Sequence, residues 1–364
     1  MKRPEEPLET ATESPQGPSA RGSAAPCRAA TSPGEANRGL YLGIDVGGTN
    51  IKLGLVDATG EVRARDQIAT CEPEGAASAV ERIGEACRRM VEVAGVRLEE
   101  LRGAGLATPG TMDIPRGWML DPPNMPHWSR FPIRDALSSE LGLPVAFLND
   151  ANAAAFGEYW VGGGANSDSL AMITLGTGVG GGLIVDGRII HGLHSFGSEI
   201  GHMIVDPGPQ ARLCVWGGGR GELEAYASAS AVVARAAERL SDAPQSRLAG
   251  VDPLTARAIY ESAEAGDTLS LELIDETARI LGIAITTLVH LIDPGRVLLG
   301  GAMDFGGMAS PVGRRFLEGI RSEFLRRAFR VVDQTQIEFA TLGSDAGFIG
   351  AAGFAHQQLT VDTP

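Results

Sequence analysis

The sequence predicts an α/β protein built from two related halves, and three observations carry that prediction. A glycine-rich hairpin occurs twice, at residues 42–57 and 171–186. Each copy is an apolar run, a Gly/Thr loop, a second apolar run and a polar turn (Asp57–Gly60, then Asp186-Gly187). After each hairpin, further short apolar runs alternate with segments of helical periodicity, the pattern of mixed sheets covered by helices. An ungapped alignment of Gly47 with Gly176 places Leu55 on Ile184, Val56 on Val185 and Asp57 on Asp186.

The elements follow in order. Leu40–Leu55 and Glu61–Ala69 predict a strand meander, since apolar runs flanking small loops are joined strands. Ala76–Ala94 predicts a helix, with Ala79, Val80, Ile83, Ala86, Cys87, Met90 and Val91 on one face. Gly103–Ala107 is a short buried strand that ends in the turn Thr108-Pro109-Gly110. Phe131–Leu141 predicts a helix and Pro144–Leu148 a strand. Asn149-Asp150 leads into Ala151–Trp160, whose alanines favour helix. In the second half, helices are expected at Ser228–Leu240, Pro253–Ala265, Ser270–Ile292 and Arg314–Ala328. Strands are expected at Arg296–Leu299 and Ile337–Ala340, and a small-residue helix at Asp345–His356 closes the chain.

Composition narrows the function classes. At 364 residues the chain has length for two domains with sizeable cores. A formal charge of −14 argues against general affinity for nucleic acid or anionic membrane. The sequence holds no uninterrupted apolar stretch of the ~18 residues a spanning helix requires. Residues 1–38, rich in Pro, Ser, Ala, Glu and Gly, predict a disordered tail without a secretory signal. Lys2 and Lys52 are the only lysines, and Lys52 is followed by Leu53. A P-loop needs Lys followed by Ser or Thr after its glycines, so Walker-type nucleotide binding is excluded. The four cysteines (Cys27, Cys71, Cys87, Cys214) form no close pairs, which fits a reducing cytoplasm better than a disulfide framework.

Glycine lets a backbone approach a ligand and aim its N–H groups at phosphate oxygens. Two such loops in one chain point to two lobes holding a polyphosphate between them. Asp45 follows a strand just ahead of Gly47-Gly48-Thr49, where a carboxylate suits Mg²⁺ held through water. Asp150 stands at the C-terminal end of a strand, where α/β crevices form. It also suits a helix N-cap, and the helix N-terminus favours its ionised form.

Four segments in order resemble the diagnostic segments of the ROK family of repressors, open reading frames and sugar kinases. They are Ile44-Asp45-Val46-Gly47-Gly48-Thr49-Asn50, Leu148-Asn149-Asp150-Ala151-Asn152-Ala153-Ala154, Gly176-Thr177-Gly178-Val179-Gly180-Gly181 and Glu199-Ile200-Gly201-His202. The resemblance runs from about Leu40 to about Phe354 and is strongest to the family's bacterial glucokinases. It implies the two-lobed actin/hexokinase-like (ribonuclease H-like) ATPase fold, with residues 39–152 plus 345–364 in a small lobe and 153–344 in a large one. It implies that ATP with Mg²⁺ phosphorylates the 6-hydroxyl of a hexose, glucose first. Asp150 is then the catalytic base. Asn149, Asp150, Glu199, His202, Glu224 and Gly110 are expected to contact or border the sugar, with Asn124–Trp128 as a looser match. Asp45, Gly47, Gly48, Thr49, Asn50, Thr177, Gly178, Gly300 and Gly301 are expected to face the nucleotide, with Lys52 in support and Gly343–Gly347 ranked below Gly300-Gly301. Dimers or tetramers follow by analogy.

The chain departs from the family pattern in one place. Relatives carry Cys-x-Cys-x4-Cys-x-Glu after Gly-His and bind a structural Zn²⁺ there. Counting back from Glu224, those cysteine columns fall on Val215, Gly217 and Glu222, and a one-residue slip recovers only Cys214. Structural zinc takes four N/S ligands, so no zinc site is expected. The loop 206–221 is then expected to be held by packing, with Trp216 inward, and His202 by some other partner. Alternatives within the class are kinases of N-acetylglucosamine, N-acetylmannosamine, fructose, mannose or allose. A sugar-responsive transcriptional regulator needs a basic winged helix, and the segment before Leu40 is short, Pro-rich and not basic. A sugar sensor need not keep Asp45, Asp150 and both glycine loops.

Overall fold

The computed structural model describes residues 39–122, 124–214 and 219–361; the predicted tail and Trp216 lie outside them. The chain begins as a meander, β1 (Leu40–Val46), β2 (Asn50–Asp57) and β3 (Val62–Ala69). Then come α1 (Gly75–Val93), β4 (Gly103–Thr108), a small hairpin of β5 (Met112–Asp113) and β6 (Trp118–Met119), α2 (Ile133–Leu141), β7 (Val145–Asn149) and α3 (Asp150–Trp160). The second half has β8 (Leu170–Leu175), β9 (Val179–Val185), β10 (Arg188–Ile189), α4 (Glu224–Ala227) and α5 (Ala229–Arg239). It continues with α6 (Ala256–Glu264), α7 (Thr268–Ile292), β11 (Arg296–Gly300), α8 (Pro311–Arg327), β12 (Gln336–Phe339) and α9 (Ala346–Val361). The two-residue strands β5, β6 and β10 are too short to carry a period and escaped the sequence reading.

Two five-stranded sheets have the same plan. Their orders are β3-β2-β1-β4-β7 and β10-β9-β8-β11-β12. In each, an antiparallel meander continues into two parallel strands. The duplication read from the hairpins therefore extends to whole sheets. The ungapped alignment slips by one residue, however. Leu42 pairs with Leu55, whereas the equivalent Ala171 pairs with Leu183, not Ile184. The second turn is one residue tighter: Gly47 N–H donates to Asn50 O, but Gly176 N–H donates to Gly178 O.

Helices α3 and α9 join the two sheets. One buried cluster takes Tyr41, Val56, Ala107 and Leu148 from the first sheet, Met172, Ile184 and Leu298 from the second, and Phe156 and Phe348 from the helices. Ala346 through Ala355 of α9 are all buried, so the helix is apolar on every side because every side is covered. Its close approach requires glycine. A Cβ on Gly105 would fall 1.8 Å from Ala351 O, and one on Gly350 would fall 1.7 Å from Ala153 O. The other clusters are the outer cores, against α1 and α2 in one half and against α5–α8 in the other. No helix among the described residues is long and apolar enough to cross a membrane.

Candidate active site

The C-terminal ends of β1, β7, β8 and β11 open onto one cleft of about 790 Å³. Asp45, Gly47, Gly110 and Asp150 line it from the first half, and Thr177, Gly178, His202, Glu224, Gly300 and Gly301 from the second. Both glycine turns thus reach the same space. Gly48, Thr49 and Asn50 lie exposed at the tip of the first turn, and with Lys52, Asn149 and Glu199 they are not among the lining residues. Asn124 and the loop residues Gly343, Ser344 and Gly347 do line it. Thr174, on the strand that leads into the second glycine turn, and Asp304, which no motif singled out, join them.

Asp45 lies directly across the β1–β2 ladder from Lys52. The Lys52 Nζ donates to Ser344 O at 2.6 Å, which ties the β12–α9 loop to β2. A Cβ on Gly347 would fall 2.2 Å from Asp45 Oδ2, so only glycine lets the first turn of α9 sit against this carboxylate. Burial pushes Asp45 up to about 6, with Lys52 pulling the other way. Gly301 has φ +92° and no room for a Cβ, which would meet Leu175 O at 2.2 Å; this turn packs against the end of β8.

Asp150 is the first residue of α3 rather than its cap. The cap is Asn149, whose Oδ1 accepts from Ala151 N–H at 2.9 Å and Asn152 N–H at 3.2 Å. That leaves only the Asn149 amide nitrogen for a ligand. Asp150 Oδ1 accepts from Ala151 N–H at 2.8 Å. The helix N-terminus does not decide its ionisation. Burial, then the negative charge of Asp45, push Asp150 up to about 7, with Glu199 adding in the same direction. A carboxylate titrating near neutrality is a stronger proton acceptor than an ordinary one.

Glu224 opens α4 and holds the second glycine turn. Its Oε2 accepts from Val179 N–H at 2.8 Å, and its Oε1 accepts from Cys214 Sγ at 2.9 Å. His202 ends a short 3₁₀ turn, Ile200–His202, and its Nδ1 lies 3.1 Å from Glu222 Oε2. Glu199 precedes that turn at the exposed rim. Desolvation first and the Glu224 charge second hold its carboxyl above the ordinary value, partly offset by His202.

The donors here do not fit a structural zinc. The His202 and Cys214 side chains each face a glutamate, and no group of three His, Cys, Asp or Glu among the described residues is arranged to hold a metal. Among its described residues, Ala211 and Cys214 are buried, and polar contacts also hold the loop. Tyr226 OH donates to Asp206 Oδ2 at 2.6 Å and accepts from Arg212 N–H at 3.0 Å. Backbone bonds link Val205 N–H to Gly221 O and Cys214 N–H to Gly219 O.

The ROK family model matches residues 41–358. The chain belongs to the ROK family. A glucokinase of Halalkalibacterium halodurans is 36% identical over 87% of this chain and 95% of its own length. The ROK hexokinase of Thermus thermophilus superposes with a TM-score of 0.75 at 33% identity, covering 88% of this chain and 99% of that one. A ROK glucokinase of Streptomyces griseus, solved with glucose and AMPPNP, gives 0.72 at 34% identity, with 88% and 100% covered. The two-sheet architecture is therefore that of the ROK hexokinases, the actin-like ATPase fold.

Proposed function

We propose that this protein is an ATP-dependent hexokinase that phosphorylates the 6-hydroxyl of glucose. The observation that carries the reading is the meeting of Asp45, Asp150 and both glycine turns in one cleft. Similarity to ROK glucokinases over nearly the whole chain supports the same substrate class. In this reading, residues 39–152 with 345–364 and residues 153–344 are the two lobes. Glucose lies against Asn149, Asp150, Glu199, His202 and Glu224.

Asp150 accepts the proton of the 6-hydroxyl as its oxygen bonds to the γ-phosphorus. The bond from that phosphorus to the bridging oxygen breaks, and ADP leaves with the electron pair. Backbone N–H groups of the Gly47 and Gly178 turns take up phosphate charge, so most of the catalysis is positioning and neutralisation. The two neighbouring carboxylates, opposed by Lys52 at Asp45 and by the Ala151 N–H at Asp150, fit a divalent cation. Asp45 would hold magnesium through water, and the ion would supply charge neutralisation at the phosphates. The adenosine end goes past Gly300-Gly301 to an adjoining cavity of about 480 Å³ lined by Tyr260, Met303 and Phe305. The reading includes a cytoplasmic enzyme, in keeping with four unclustered cysteines, and a dimer or tetramer by analogy.

A coupled ADP-release assay across glucose, mannose, fructose, allose and the two N-acetylhexosamines tests this. Glucose is expected to have the highest kcat/KM; inert sugars with intact nucleotide binding would end the proposal. Asp150→Asn is expected to lower kcat by about 10³-fold or more, the scale of a lost general base, while calorimetry still detects glucose. Turnover near wild type would remove Asp150 from the mechanism.

A further inference from the structure

The loop that follows His202 brings a glutamate, Glu222, against its ring. Glu222 sits in an antiparallel bridge with Ile204, and Leu223 N–H donates to Met203 O, so its backbone is fixed beside the His202 turn. Its Oε1 accepts from Gly219 N–H at 2.7 Å. Its Oε2 is buried, has no hydrogen bond of good geometry, and faces His202 Nδ1 at 3.1 Å. The Glu222 side chain is 10% exposed and that of His202 54%. A charge this enclosed is costly without a partner, and the imidazole is the group it faces. Glu222 also stands in a column where relatives are expected to place a zinc-binding cysteine, and the donors present do not build that site.

We propose that Glu222 is a positioning residue: its carboxylate fixes the ring and tautomer of His202 without metal, leaving Nε2 to accept a hydrogen bond from a sugar hydroxyl. A carboxylate against Nδ1 keeps the proton on Nδ1, and the other nitrogen becomes the acceptor. His202 lines the cleft, so Nε2 is the atom left for a ligand. The hydroxyl partner rests on the hexokinase reading; the tautomer does not.

Glu222→Gln tests this sharply. The Gly219 N–H claims the amide oxygen, so the NH₂ group takes the Oε2 place and donates to Nδ1, reversing the tautomer. Long-range ¹H–¹⁵N NMR, assigned with His202→Gln, should show Nδ1–H in the wild type and Nε2–H in Glu222→Gln. The glucose KM should rise about tenfold, the effect of ~1.4 kcal/mol, with the ATP KM and the melting temperature little changed. Chelator-treated enzyme with substoichiometric zinc should keep both tautomer and activity. An Nε2–H tautomer in the wild type, an unmoved tautomer or glucose KM in Glu222→Gln, or stoichiometric zinc whose removal abolishes activity would overturn the proposal. The wild-type tautomer decides even if the variant fails to fold. A chain that phosphorylates no hexose yet shows the tautomer switch would instead defeat the hexokinase reading alone.

Discussion

Asp150 and Asp45 share one burial problem. Burial raises both, and Asp150 titrates higher because the charges of Asp45 and Glu199 add to its burial, whereas Lys52 offsets that of Asp45. The pair releases its protons in two steps that belong to both groups. A base must be ionised to accept a proton, so kcat/KM for the free enzyme should fall roughly tenfold per unit as pH drops below about 7. A flat profile between about pH 5 and 8 would show that no group of this kind limits the rate. Stability carries the opposite sign. A carboxyl whose folded pKa exceeds its unfolded value stabilises the fold fully below about 4, and that contribution is lost as pH rises through about 7. Asp150→Asn should therefore raise the melting temperature at about pH 8 by roughly 2–4 °C, with a smaller gain at about pH 5. Scanning calorimetry at both values checks this.

At the scale of elements, one buried carboxylate ties the end of α3 to the segment that leads into α9. Glu158, near the end of α3, is 0% exposed. Its Oε1 accepts from Thr341 N–H at 2.7 Å and Leu342 N–H at 2.6 Å. Its Oε2 accepts from Gly163 N–H at 2.7 Å and Thr341 Oγ1 at 3.0 Å. The chain leaves the first sheet through α3 and returns through residues 341–345, so one side chain fastens both passages. Glu158→Ala leaves these donors unmatched and should cost about 3 kcal/mol or more in urea unfolding. Glu158→Gln keeps one acceptor and should cost less. The fastened loop runs on to Gly343, Ser344 and Gly347 at the cleft, so the ATP KM should rise more than the glucose KM in either variant.

At the scale of the molecule, two equivalent sheets face a cleft and are joined through α3 and α9. Such a frame can close on a sugar and exclude water from the phosphates, as induced-fit kinases require. Small-angle scattering should give a smaller radius of gyration with glucose than without it. An unchanged radius, with glucose shown to bind, would mean that the cleft does not close.

The sequence by itself determined what nearest neighbours along the chain control. The glycine turns, the periodic face of α1, the long apolar run of α7, and the placing of Asp45 and Asp150 at strand ends are all local, so they were legible before any fold was known. Tertiary structure decided which side chains meet across the chain. Examples are Glu222 against His202, Glu158 under Thr341, Lys52 on Ser344, and Asn149 rather than Asp150 taking the cap. It also decided the tighter second turn, which one hydrogen bond sets. Periodicity records the face on which a residue lies; the partner it finds there, and hence its charge state, depends on the register of elements far apart in the chain.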